Sequence, residues 1–163
     1  MKSKRFLMMK VINFIVLILV TIDSRAENIK NNFYVGSSLH YNVNDREYDL
    51  TDSQSVSVRA GYLFTLNLGI ESSYGSYGRN LNGNNIYAYQ FRGNYLHHLD
   101  SDFTLYTGIG GYIYDSEINP TAVIGVKKKL DKKISTQFSY EYFYKGYGDD
   151  DIYSLSMGIN FYF

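Results

Sequence analysis

Cysteine is absent from the 163 residues. That excludes a disulfide framework, a Cys-ligated metal and a thiol nucleophile, and it excludes a lipid anchor on Cys at the end of the N-terminal apolar stretch. Tryptophan is absent and proline occurs once, so long strands would lose almost no backbone donors. Beyond residue 26 no apolar run reaches the roughly 20 residues of a membrane helix. A positive balance is also missing once the N-terminus is set aside. Residues 1–26 hold five bases (Lys2, Lys4, Arg5, Lys10, Arg25) and one acid, Asp23, which leaves 11 bases against 15 acids in the remaining 137 residues. A nucleic-acid binder would usually be basic, so nucleic acid is not an expected partner. What is abundant is tyrosine (18), phenylalanine (10) and glycine (14). Aromatics favour strands, and glycine favours turns.

The N-terminus reads as an address. A basic MKSKR opening precedes an apolar core, Val11 to Val20, broken only by Asn13, and Ser24-Arg25-Ala26 then offers small residues where a signal peptidase reads. The alternative is a retained anchor helix, but the core is about half the ~20 residues a span needs. Residues 1–26 are therefore expected to be removed as a signal peptide, leaving one domain, residues 27–163.

From residue 33 onward the hydrophobic period is two. Tyr153, Leu155, Met157, Ile159, Phe161 and Phe163 alternate with Ser154, Ser156, Gly158 and Asn160, so a strand here has one greasy face and one small, polar face. The same alternation starts at Phe33, Val56, Leu68, Tyr87, Phe103, Ala122 and Ile134. That makes eight strands of roughly 9–12 residues, the length a tilted strand needs to cross a bilayer. Short connectors are expected near Thr65–Asn67, His98–Ser101 and Asp131–Lys133. Long polar loops are expected near Asn44–Ser53, Ser76–Asn85, Asp115–Asn119 and Lys145–Asp151. Short turns at one end and long loops at the other is the outer-membrane pattern, with the turns and both termini periplasmic.

Period two does not say which face points in. Volume does. An eight-stranded barrel has an interior just filled by side chains, and the aromatic rows would overfill it. The opposite rows of Gly, Ser, Asn and a few charges suit it. Aromatics also gather at strand ends, at Phe33, Tyr62, Phe64, Tyr142, Tyr144 and Phe161 to Phe163, as in interfacial girdles. The fold class expected is all-β, an eight-stranded antiparallel up-and-down transmembrane β-barrel.

Three segments carry a family resemblance. FYVGSSLHYN resembles the first strand, YTGIGGYIY the fifth and GINFYF the last strand of the OmpA-like and opacity-type outer-membrane barrels, and the chain is similar in length to the small OmpX-like members. The peptidoglycan-binding domain that follows the barrel in longer members is not expected here. The resemblance implies a bacterial outer-membrane protein, monomeric and surrounded by lipid and lipopolysaccharide. It also implies that the barrel-assembly machinery reads the terminal Phe161 and Phe163.

The inward parity carries charges: Arg59, Glu71, Arg92 and Glu141, with Lys127 as a fifth. A charge in a narrow barrel must be paired, so an ionic network plugging the lumen is expected, with Arg59 one diagonal step from Glu71, Arg92 within reach of Glu71, and Glu141 across the barrel where a long Arg could span the lumen. Lys128 falls on the lipid parity and must snorkel. No phosphate loop, zinc motif or nucleophile elbow is present, and no cofactor is expected. Asp149, Asp150 and Asp151 could hold a hard divalent cation, against the plainer reading of a solvated loop. Two alternatives to a non-enzymatic surface role acting through extracellular loops stay open. One is a lipid A-modifying enzyme using His40, with Ser38 and loop acids as neighbours. The other is a small diffusion pore.

Overall fold

The computed structural model describes residues 32–44, 50–51, 53–80, 84–114, 116–147 and 150–163. The expected signal peptide lies outside them. Eight long strands form: β1 Phe33–Asn44, β2 Ser53–Leu63, β3 Leu68–Asn80, β4 Asn85–His98, β5 Phe103–Tyr114, β6 Glu117–Asp131, β7 Ile134–Tyr147 and β8 Asp150–Tyr162. A two-residue strand, Leu50–Thr51, pairs with the far end of β3. Each long strand is antiparallel to its chain neighbours, and β1 pairs with β8 from Tyr34↔Tyr162 to Asn44↔Ile152. That last pairing closes the barrel and leaves no free edge through its middle.

Inside and outside alternate along the strands, most regularly on β4, where every second residue from Ile86 to Leu96 is buried. Large apolar side chains lie exposed on every strand, among them Leu39, Val58, Ile70, Phe91, Ile109, Ile124, Phe138 and Met157. A greasy band of this kind around a closed ladder is a surface for hydrocarbon: every backbone group in the band is bonded to a neighbouring strand. Phenylalanines crowd the short-turn end, where the Phe33 ring sits 6.3 Å from Phe163. Tyrosines crowd the other, with Tyr74 on Tyr89 at 4.6 Å and Tyr142 on Tyr153 at 5.3 Å.

The short turns are held by side chains. Thr65 Oγ1 accepts the N–H groups of Asn67 and Leu68. Asp100 Oδ1 accepts those of Asp102 and Phe103, both at 2.7 Å, which holds its carboxyl below the usual carboxylate range. Asp131 Oδ1 caps Lys132.

Three of the four expected long loops are corrected. Ser76 to Asn80 continue β3, Glu117 to Asn119 begin β6, and Lys145 to Tyr147 end β7. Ile118 faces Ile113, and Asn119 faces Tyr112 across the ladder. β5 and β6 are joined through Ser116, which takes φ 67°, the left-handed backbone of tight hairpins. The physical reason is that a strand projecting past the bilayer no longer needs an apolar outward face. It loses its apolar alternation while keeping its ladder, so periodicity ends before the strand does.

Candidate functional site: the barrel lumen

The lumen divides into a polar middle and two aromatic ends. In the middle, β4 places Arg92 directly opposite Glu71 of β3. Its guanidinium bonds Glu71 Oε1 at 2.5 Å and reaches across to Glu141 Oε2 of β7 at 3.0 Å. The remaining carboxylate oxygens are also occupied. Tyr34 Oη donates to Glu71 Oε2 at 2.6 Å, and the Ser139 and Ser156 hydroxyls donate to Glu141 Oε1. A buried ion pair persists only when its lone pairs are satisfied in this way. Gln90, Ser73 and Thr121 extend the hydrogen bonds toward the far end.

Arg59 and Lys127 stand apart from those pairs. The expected Arg59–Glu71 pairing is corrected: the ladder sets Arg59 against Ser73 and Glu71 against Gly61, and both Glu71 oxygens are already taken. Arg59 is buried with its Nε unpartnered, and a side chain at Gly158 would strike its guanidinium. Lys127 is 4 % exposed, with Nζ 4.8 Å from the Tyr34 ring centroid and 5.0 Å from that of Tyr106. Lys128 points outward, its Nζ over the Phe103 ring.

At the far end the lumen holds a layer of buried side chains, Tyr77, Ala88, Tyr112, Phe143 and Ile152. The Phe143 ring lies 4.9 Å from Tyr77 and 5.4 Å, edge-on, from Tyr112. Tyr112 Oη donates to the Tyr144 carbonyl. Sequence reasoning missed Tyr77, Phe143 and Ile152. The signal was present: continuing the inward parity Glu71, Ser73, Gly75 reaches Tyr77, and Ser139, Glu141 reaches Phe143.

At the short-turn end Tyr34 and Tyr106 also point in. Each ring occupies the space above the glycine directly opposite it, Tyr34 over Gly61 and Tyr106 over Gly125. Tyr106, like Tyr112 at the far end, falls on the inward parity of the YTGIGGYIY segment, as its spacing by two requires. A glycine across the ladder vacates the volume one ring needs.

His40 is 4 % exposed, with Nδ1 3.2 Å from Ser154 Oγ and Nε2 2.7 Å from Ser57 Oγ. Its ring packs edge-on against Tyr77 at 5.2 Å. Neither Ser38 nor a carboxylate is its hydrogen-bond partner, so the geometry of a Ser-His-acid triad is not assembled around it. Of the acidic trio, Asp149 lies outside the described residues, and Asp151 Oδ2 accepts the Tyr142 hydroxyl at 2.6 Å. Among the described residues no cluster of three metal-ligating side chains occurs. Phe161 and Phe163 face outward, and Phe163 N–H bonds the Phe33 carbonyl.

No family model matches the chain, and no curated protein matches it in sequence. Solved structures do match. Neisserial surface protein A superposes with a TM-score of 0.68 at 17% identity, over 80% of this chain and 97% of that one. The N-terminal β-barrel domain of Pseudomonas aeruginosa OprF gives 0.59 at 13% identity, over 82% and 100%. Ail, the attachment invasion locus protein of Yersinia pestis, gives 0.56 at 14% identity, over 82% and 97%. The chain therefore has the fold of the small eight-stranded outer-membrane β-barrels.

Proposed function

We propose that this chain is an integral protein of a bacterial outer membrane that acts without catalysis through its tyrosine-rich outer end, its lumen plugged. The observation that carries this reading is the Arg92 guanidinium joining Glu71 and Glu141 across the barrel beneath the Tyr112–Phe143 layer. Side chains that meet from opposite walls leave no continuous water path, and specificity then falls to the connectors at the ends. The names of two structural neighbours, a surface protein and an attachment protein, support a surface role. In this reading the short turns and both termini are periplasmic, lipid and lipopolysaccharide cover the apolar band, and the assembly machinery reads Phe161 and Phe163. The barrel works as a monomer, and its extracellular ligand is carried by the outer connectors.

An epitope tag inserted between residues 148 and 149 should be labelled on intact cells, whereas one between Lys132 and Lys133 should need permeabilisation. The reverse result would invert the topology. Planar bilayers should show no large, steady conductance, and such a conductance would make the chain a pore. Lipid A acylation should be the same with His40→Ala. A chain-dependent change in lipid A mass, lost in that variant, would replace this reading with an enzymatic one.

A further inference from the structure

The short-turn end of the lumen is not sealed. It opens into a vestibule of about 440 Å³, of the size that holds small ligands. Its lining mixes four aliphatic side chains, Leu63, Leu66, Leu96 and Ile134, with polar and charged ones, and Lys127 lines it further in than the rim residues Lys129 and Asp131 of the same strand. The lumen charges do not balance: Arg59, Arg92 and Lys127 face two carboxylates, Glu71 and Glu141. Arg92 takes up both carboxylates. Lys127 keeps two tyrosine rings as its neighbours and makes no hydrogen bond or ion pair among the described residues. Ring faces attract an ammonium but accept none of its three N–H bonds in ordinary geometry. The rim acids form no ion pair with Lys127. Asp100 and Asp131 each give an oxygen to turn amides, and Asp102 accepts the Ser101 hydroxyl.

We propose that the vestibule binds a small carboxylate carried on an apolar body, with the carboxylate on Lys127 Nζ and the body against Leu63, Leu66, Leu96 and Ile134. One negative charge brings the five lumen charges to neutrality, whereas a dianion would overshoot it and also pass Asp100, Asp102 and Asp131 at a rim that holds Lys129 and Lys132. An apolar body displaces water from four aliphatic walls, which an inorganic anion cannot do. The same chemistry is offered by a free short-chain acid and by the C-terminus of a hydrophobic peptide.

The test uses the detergent-purified chain and follows the carboxyl ¹³C resonance of labelled hexanoate, with N-acetyl-leucyl-leucine as a second probe. A saturable shift with one probe supports the site and identifies the source. Lys127→Met, which keeps the side-chain length and removes the unpaired charge, should weaken binding by about tenfold or more, the loss expected for one charge-assisted hydrogen bond. Ile134→Trp should abolish binding with Lys127 intact, which separates a filled vestibule from a misfolded barrel. The double variant Lys129→Met/Lys132→Met should change affinity by less than about threefold, as rim charges do. No saturable shift with either probe, equal binding by Lys127→Met, or displacement of hexanoate by equimolar inorganic phosphate would each overturn the proposal.

Discussion

The two ends of the lumen solve the same packing problem in opposite ways. At the far end, the outer one in the topology proposed above, the rings of Tyr77 and Tyr112 pack on Phe143, with Ile152 and Ala88 in the same buried cluster. At the short-turn end the rings of Tyr34 and Tyr106 lie back against the wall, each over a glycine, and the centre stays open as the vestibule. Ring placement, more than ring number, therefore decides which end is closed. Between them sits the Arg92 bridge.

Breaking the bridge should have the largest effect. Arg92→Met would leave the Glu71 and Glu141 carboxylates buried with no bonded cation, a state that costs about 4 kcal/mol. Urea unfolding in detergent should show that loss. Adding Glu71→Gln and Glu141→Gln to the same chain should recover most of it, because neutral partners do not require the cation. A single variant as stable as wild type would mean that the middle of the lumen is wetter than its burial implies. Next in size is the outer layer. Phe143→Ala removes the ring that both tyrosines pack on and should cost about 3 kcal/mol, the range for a buried Phe. It should also loosen the outer end alone, so that amide exchange rises near Tyr77 and Ile152 and stays unchanged near Tyr34 and Tyr106.

The ends differ too in how far the sequence discloses them. The inward parity of Arg59, Glu71, Arg92, Glu141 and Lys127 is readable from spacing by two, because a closed ladder enforces that period without exception through the membrane. The choice of ion pairs is not. Arg59 sits one diagonal step from Glu71, yet Arg92, directly opposite, and the Tyr34 hydroxyl from a more distant strand take its oxygens. Pairing is a contest among side chains brought together only by barrel closure. The outer layer is hidden for a different reason: apolar alternation fades where strands leave the bilayer, so Tyr77 and Ile152 fall in stretches that look like loops. The vestibule is the least legible feature, since its walls Leu63, Leu96 and Ile134 come from three strands and meet only in the ring.

Glycine substitutions separate the ends with smaller effects. At Gly125 an added Cβ would meet the Phe138 carbonyl, the Tyr106 ring and Ser139 Cβ at distances real side chains do not show. The first of these is backbone and cannot give way, so Gly125→Ala should cost about 2 kcal/mol through overpacking, and should shift the Tyr106 ring into the vestibule. Gly78, at the outer end, is buried as well, but its nearest neighbours would be Ile86 Cδ1 at 3.4 Å and Ile152 Cδ1 at 3.6 Å. Those are ordinary contacts with the flexible tips of two aliphatic chains. A methyl there adds apolar contact to the sealing layer, and alanine has fewer unfolded conformations than glycine, so Gly78→Ala should stabilise the barrel by about 0.5 kcal/mol. Matched urea curves for the two variants check this. Opposite signs would show that the outer end has slack that the short-turn end lacks. A loss at Gly78 as large as that at Gly125 would mean that both ends are packed to the same limit, and that the open vestibule owes its volume to something other than rings laid over glycines.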